Sequence, residues 1–163
     1  MSSLDPERII AVDLRPQSLG FAVLEGKDRI LDWGVKSFRG GVNSVRVPLG
    51  PKVNELIAFY VPDAIVLRRR RGTDTVLGEL EQTARARRVA VRFLTHRTVK
   101  DSFPRCRNKD QVAAAVSERF IELLPDLPPK RKTWKKEDYR MRIFDAAATG
   151  IAYFENPQKP PSA

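Results

Sequence analysis

Apolar and polar positions follow two different rhythms along this chain of 163 residues. In the first third the apolar residues come in short runs. Arg8 to Asp13 (RIIAVD) ends in a carboxylate, and Leu19 to Glu25 (LGFAVLE) follows a short polar turn carrying Pro16 and Gly20. Ile30 to Phe38 (ILDWGVKSF) is set off by Gly26-Lys27-Asp28, a turn of hairpin type. Three such runs with short connections predict an antiparallel meander, after which Gly40-Gly41 opens a loop. The period then lengthens. Val53, Leu56, Ile57 and Tyr60 fall at helical spacing and Pro62 closes the segment. Ala64 to Leu67 is wholly apolar, as a strand buried on both faces should be. A helix is predicted from Thr75 to Arg88, with Val76, Leu80 and Ala84 at steps of four, and a fifth strand over Val89 to Leu94. A third helix is predicted from Asp110 to Leu124, with Val112, Val116, Phe120 and Leu123 on one stripe and Pro125 as its stop. A proline-led basic loop, Pro128 to Lys136, precedes a last helix from Lys136 to Phe154.

Strand–helix alternation after a meander implies parallel pairing through right-handed crossovers. The expectation is one mixed α/β domain over residues 1–155, helices on both faces of its sheet, followed by a Pro-rich tail, 156–163, that frays.

Charge changes the picture. Thirty Lys and Arg against twenty Asp and Glu give a net charge of +10. Such an excess favours a polyanionic partner, most often nucleic acid. An apolar fraction of 42% with 31% charged residues excludes a wholly disordered chain. No apolar run approaches the roughly 20 residues that span a bilayer, so no membrane role is expected. The N-terminus lacks a signal-peptide pattern, and the single Cys106 excludes a disulfide framework. Both point to a cytoplasmic protein.

The candidate chemistry is acidic at one place and basic at two. Asp13, at the end of the first strand, reads as a solvated strand-end carboxylate or as a ligand for a hard cation such as Mg²⁺. Arg68, Arg69, Arg70 and Arg71 follow the fourth strand at the carboxyl edge of the sheet, where α/β folds place their sites. Arg85, Arg87 and Arg88 fall near a helix end, where the dipole favours cations. Lys130, Arg131, Lys132, Lys135 and Lys136 surround Trp134, whose ring either stacks on an unpaired base or packs over the last helix. His96 has no ligand-spaced partner for zinc, and no His–Cys pattern makes Cys106, between Arg105 and Arg107, a catalytic thiol. Phe21, Trp33 and Phe38 read as packing residues of the sheet.

Ile9-Ile10-Ala11-Val12-Asp13 followed by Ser18-Leu19-Gly20-Phe21-Ala22-Val23 resembles the opening of the RuvC-type Holliday-junction resolvases, of the ribonuclease-H-like superfamily. Pro62-Asp63-Ala64-Ile65-Val66-Leu67 is similar to that family's fourth strand. Thr98-Val99-Lys100 and Lys109-Asp110-Gln111-Val112 resemble the approach to its next helix, and Phe144-Asp145-Ala146-Ala147-Ala148 resembles its last helix. The resemblance spans residues 8 to 154 and implies a five-stranded sheet of order 3-2-1-4-5. It also implies branched or duplex DNA as ligand, contacts from Lys109 and the two basic segments, and a homodimer. In the family, four carboxylates bind two Mg²⁺ that activate water and stabilise the leaving oxygen. Position by position, Asp13 and Asp145 match as catalytic and metal-binding acids, the second acid falls on Arg68, and the fourth falls on Ala148. Shifting the last match so that Asp145-Ala146 closes the segment moves the third acid onto Arg142 instead.

An arginine at a ligand position repels a cation by about 4 kcal/mol at about 4 Å and an effective dielectric of about 20. Arg68 is therefore expected to pair with Asp13 or Asp145 in place of a metal. Asp74 is a candidate substitute acid; Asp138, on the same predicted helical face as Asp145, sits about 10.5 Å along the axis and cannot share its ion. The resemblance thus implies a nucleic-acid-binding protein with weakened or lost cleavage. The alternatives are an active Mg²⁺-dependent endonuclease with a rearranged centre, or a non-catalytic scaffold that binds protein.

Overall fold

The computed structural model describes residues 6–38, 48–130, 132 and 134–156. The Gly40-Gly41 loop, Arg131 and the tail beyond Asn156 lie outside them. The strands are β1 (Arg8–Leu14), β2 (Ser18–Glu25), β3 (Ile30–Ser37), β4 (Ala64–Arg68) and β5 (Ala90–Leu94). The helices are α1 (Gly50–Tyr60), α2 (Asp74–Ala86), α3 (His96–Asp101), α4 (Lys109–Arg119) and α5 (Met141–Glu155), with a 3-10 segment at Ile121–Asp126. One sheet runs β3-β2-β1-β4-β5, antiparallel on the β3-β2-β1 side and parallel through β1, β4 and β5. The expected mixed sheet and its strand order are both found.

Side-chain alternation along β1 divides the core. Ile9 and Ala11 face a layer made of α3, α4 and α5, whereas Ile10, Val12 and Leu14 face α1 and α2. The α5 face is deliberately thin, with Ala11 and Ala22 beneath the helix. A Cβ on Gly150 would lie 3.0 Å from Leu24 and 3.2 Å from Ala11, and one on Gly20 would lie 2.5 Å from the Arg142 carbonyl oxygen. α5 therefore rests almost directly on β1 and β2, and α4 covers its other side. That enclosure explains why α5 carries apolar residues around nearly its whole circumference. Phe21 and Phe38 are buried as expected, and half-buried Trp33 donates from Nε1 to Asp126 at 2.9 Å.

Three segments depart from the expectation. The helix expected through Leu124 ends at Arg119: Phe120 leaves the helical region (φ −118°, ψ 86°) and Pro125 sits inside the 3-10 segment. Proline cannot continue an α-helix, and the break lets both Phe120 and Leu123 bury completely. The last helix begins at Met141 rather than Lys136, because the Asp138 carboxylate accepts from the Arg140 backbone N–H (2.9 Å) and its guanidinium. A side chain that captures its own neighbouring backbone competes with helix. Asp138 consequently shares no helical face with Asp145. The third difference is α3, capped by Thr95, whose side chain accepts from the Thr98 N–H. Among the described residues no helix is long and apolar enough to cross a membrane.

Two tyrosines tie the layers together. Tyr60, at the end of α1, donates to Asp32 of β3, and Tyr153 of α5 donates to Glu7 at 2.7 Å. Burial, then the hydrogen bond and charge of the carboxylate, raise both phenols from 10.0 to about 12. A pKa raised on folding stabilises fully below the unfolded value of 10.0 and stops doing so as pH rises through the folded one. Phenolate absorbance should show a component near pH 12 that Tyr60→Phe and Tyr153→Phe each reduce. Folding stability should decline across pH 10 to 12; a single phenolate transition centred on 10 would contradict both bonds.

Candidate functional site

The carboxyl ends of β1 and β4 lie side by side. Their register pairs Val12 with Leu67, which sets Asp13 beside Arg68. Across β1, Asp13 pairs with Gly20, and the missing side chain at Gly20 admits the first turn of α5. This brings Asp145 over the strand ends. Both aspartates are buried, with Asp13 5% and Asp145 6% exposed.

Cations from three other places close on these acids. Arg70 Nε donates to Asp13 Oδ1 at 2.7 Å, and Arg15 Nε donates to Asp13 Oδ2 at 3.0 Å. Asp145 Oδ2 accepts from Arg15 Nη2 and from Lys109 Nζ, each at 3.4 Å. Arg70 Nη2, buried without a hydrogen bond, stands 3.7 Å from the same oxygen. Glu137, in the loop before α5, joins the cluster through Lys109 (2.9 Å) and Arg15 (3.7 Å). Three carboxylates and three cations form one connected network.

The field within it is uneven. Burial, then the neighbouring Asp13 charge, raises the Asp145 carboxyl above its ordinary value despite Lys109, Arg70 and Arg68. Burial also opposes ionisation of Glu137, but the Lys109 hydrogen bond and charge, with Arg15 and Arg70, hold it below the usual range. Arg68 does not pair with either aspartate as expected. Its Nη1 lies 2.8 Å from His96 Nδ1, because β4 pairs Arg68 with Leu94 and His96 follows two residues later. Burial and the Arg68 charge lower the His96 pKa, so a neutral ring accepts from the guanidinium.

The arginine run splits by direction. Arg68 and Arg70 turn toward the centre, while Arg69 lies over the Phe93 ring at 4.5 Å and both Arg69 and Arg71 are exposed. Lys109, expected as a DNA contact, belongs to the carboxylate network as well. Lys130, Lys132, Lys135 and Lys136 line a cleft of about 720 Å³ that Lys109 and Glu137 of the network share, with Asp110 and Asp138 as its other acids. Trp134 is 77% exposed, with Lys132 Nζ 5.5 Å from its ring, so it does not pack over α5. Asp74 is exposed in the first turn of α2 and makes no ion pair with the cluster. The residues missed in the sequence are Arg15 and Glu137. Arg15 carried a signal, standing two positions beyond Asp13 at the strand end; Glu137 carried none, because it reaches the cluster only through an irregular loop.

No family model matches this sequence, and no curated protein matches it. Solved structures do. RuvC of Thermus thermophilus in complex with a Holliday junction substrate superposes with a TM-score of 0.66 at 17% identity, over 90% of this chain and 92% of that one. RuvC of the same organism alone gives 0.64 at 16% identity, with the same coverage. The fowlpox virus Holliday junction resolvase gives 0.57 at 12% identity, over 91% of this chain and 97% of the other. The fold is that of the RuvC-type resolvases. In this RuvC-type fold the network of Asp13, Asp145, Glu137, Arg15, Arg70 and Lys109 occupies the carboxyl edge of the central strands. Among the described residues, no group of three His, Cys, Asp or Glu side chains is arranged to hold a metal ion.

Proposed function

We propose that this chain binds branched or duplex DNA without a metal ion, and that its own cations stand where a two-metal nuclease would hold Mg²⁺. The observation that carries the reading is Arg70, whose guanidinium bridges Asp13 and Asp145. A pair of Mg²⁺ ions needs a shell of free oxygen donors. Both oxygens of Asp13 here accept from guanidinium groups, and Asp145 meets three cations through one oxygen. This donor set does not fit two divalent cations, so cleavage is weak or lost.

Binding draws instead on phosphate neutralisation. The lysine-lined cleft, Lys109 and the outward Arg69 and Arg71 supply it, with Trp134 free to stack on a base. The reading includes a homodimer, as the resemblance implies, working in the cytoplasm on recombination or repair intermediates.

The test is the salt dependence of affinity for a labelled four-way junction and for duplex. Log affinity should fall steeply with log salt, and Lys132→Ala, Lys135→Ala and Lys136→Ala should each reduce the slope by about one. A slope near zero would remove nucleic acid and leave the scaffold alternative.

A further inference from the structure

A cavity of about 260 Å³ opens between α3, α4 and α5, beside the charge network and adjoining the lysine cleft. Its walls are of two kinds. Val99, Phe103, Val112 and Ala148 give it an apolar floor. Arg68, Lys100, Arg107 and Lys109 stand around it as cations, against the single acid Asp145, which the network already engages. A metal or a simple anion has no use for the floor, and an uncharged apolar ligand has none for the rim.

We infer that this cavity receives one unpaired nucleotide, its base on the apolar floor and its phosphate among the rim cations. The inference rests on the DNA reading and adds a pocket for a single nucleotide. The size suits it: about 260 Å³ lies just below the range of sites for drug-sized ligands. Two groups there can also donate to a base edge. Asn108 uses its side-chain oxygen to cap α4, accepting from the Gln111 N–H, and keeps its amide nitrogen as a donor. His96, neutral and accepting at Nδ1, carries its proton on Nε2. Asn108 and Lys109 line this cavity and the lysine cleft alike. A strand whose phosphates follow the cleft thus passes the mouth of the cavity, and a base leaving its stack has somewhere apolar to go.

Cys106, the only cysteine, lines the same cavity and is half-buried, which makes it a built-in reporter. The experiment follows the alkylation rate of Cys106 in the full chain with deoxyadenosine monophosphate, deoxyribose 5-phosphate or inorganic phosphate added. The nucleotide should slow alkylation about tenfold at ten times its dissociation constant, as occupancy requires. The two base-free probes should leave the rate unchanged at that concentration. Arg107→Glu, at an exposed rim position, should abolish the nucleotide's protection while duplex DNA still binds. Unchanged alkylation with the nucleotide, or equal protection by inorganic phosphate, would overturn the pocket. Either result alongside intact duplex binding leaves the DNA reading standing, whereas failure of duplex and junction to bind at all defeats that reading instead.

Discussion

Arg70→Met is expected to lower folding stability by about 3 kcal/mol, the low end of the usual cost of removing one partner from a buried ion pair. Asp13 is 5% exposed and loses its 2.7 Å partner, and Asp145, at 6%, loses a nearby charge. The low end applies because Arg15 still holds the other Asp13 oxygen and Lys109 still holds Asp145. The deficit should depend on pH in a definite sense. Burial already raises the Asp145 carboxyl, so its contribution to stability is largest below the ordinary carboxylate range and is lost as pH rises through its folded value. Removing Arg70 raises that value further. The gap between variant and wild type should accordingly be widest near neutrality and narrow on acidification, read from urea denaturation at several pH values. Arg69→Met is the comparison: it is exposed and gives up only a cation–π contact with Phe93, about 1 kcal/mol at most. Equal losses in the two variants would contradict the network.

Gly20→Ala should destabilise by about 3 kcal/mol, the upper end of the usual cost of overpacking, because the contact is with backbone. The new Cβ would lie 2.5 Å from the Arg142 carbonyl oxygen, an atom that cannot rotate away. The first turn of α5 must lift, carrying Asp145 off Asp13, so the melting temperature should fall. The same substitution at Gly78, inside α2, meets nothing within 4 Å and should stabilise by up to about 1 kcal/mol through helix propensity. Thermal unfolding of the two variants should therefore shift in opposite directions. Two downward shifts of similar size would show that α5 does not depend on Gly20 for its seat.

How much of this could be read in the sequence depends on range. The strands were legible because β1, β2 and β4 are nearly all apolar and their turns are marked by Pro16 and Gly26. Asp13 and Asp145 were legible as a pair only through the resemblance, since they stand 132 positions apart in the chain. Ends of elements were less so. Pro125 was read as a stop for a helix that in fact breaks at Phe120, and the Asp138–Arg140 turn outweighs the helical pattern before Met141. The arginine run shows the same limit at the site. Four consecutive arginines look equivalent in sequence, but Arg69 and Arg71 are exposed while Arg68 and Arg70 turn inward, and of those two only Arg70, beyond the end of β4, reaches Asp13. Arg68 is diverted by His96, which the β4–β5 register alone brings near.

The account turns on whether the acids of this fold are engaged by arginine instead of metal, and a labelled four-way junction puts that question most directly. Its affinity for the wild-type protein should be measured in EDTA and in Mg²⁺ at matched ionic strength, with the strands then analysed for cuts. Unchanged affinity and intact strands are the predicted result. Mg²⁺-dependent cutting that Asp13→Asn abolishes would contradict it, showing that the guanidinium groups of Arg15 and Arg70 yield their places to a working metal centre.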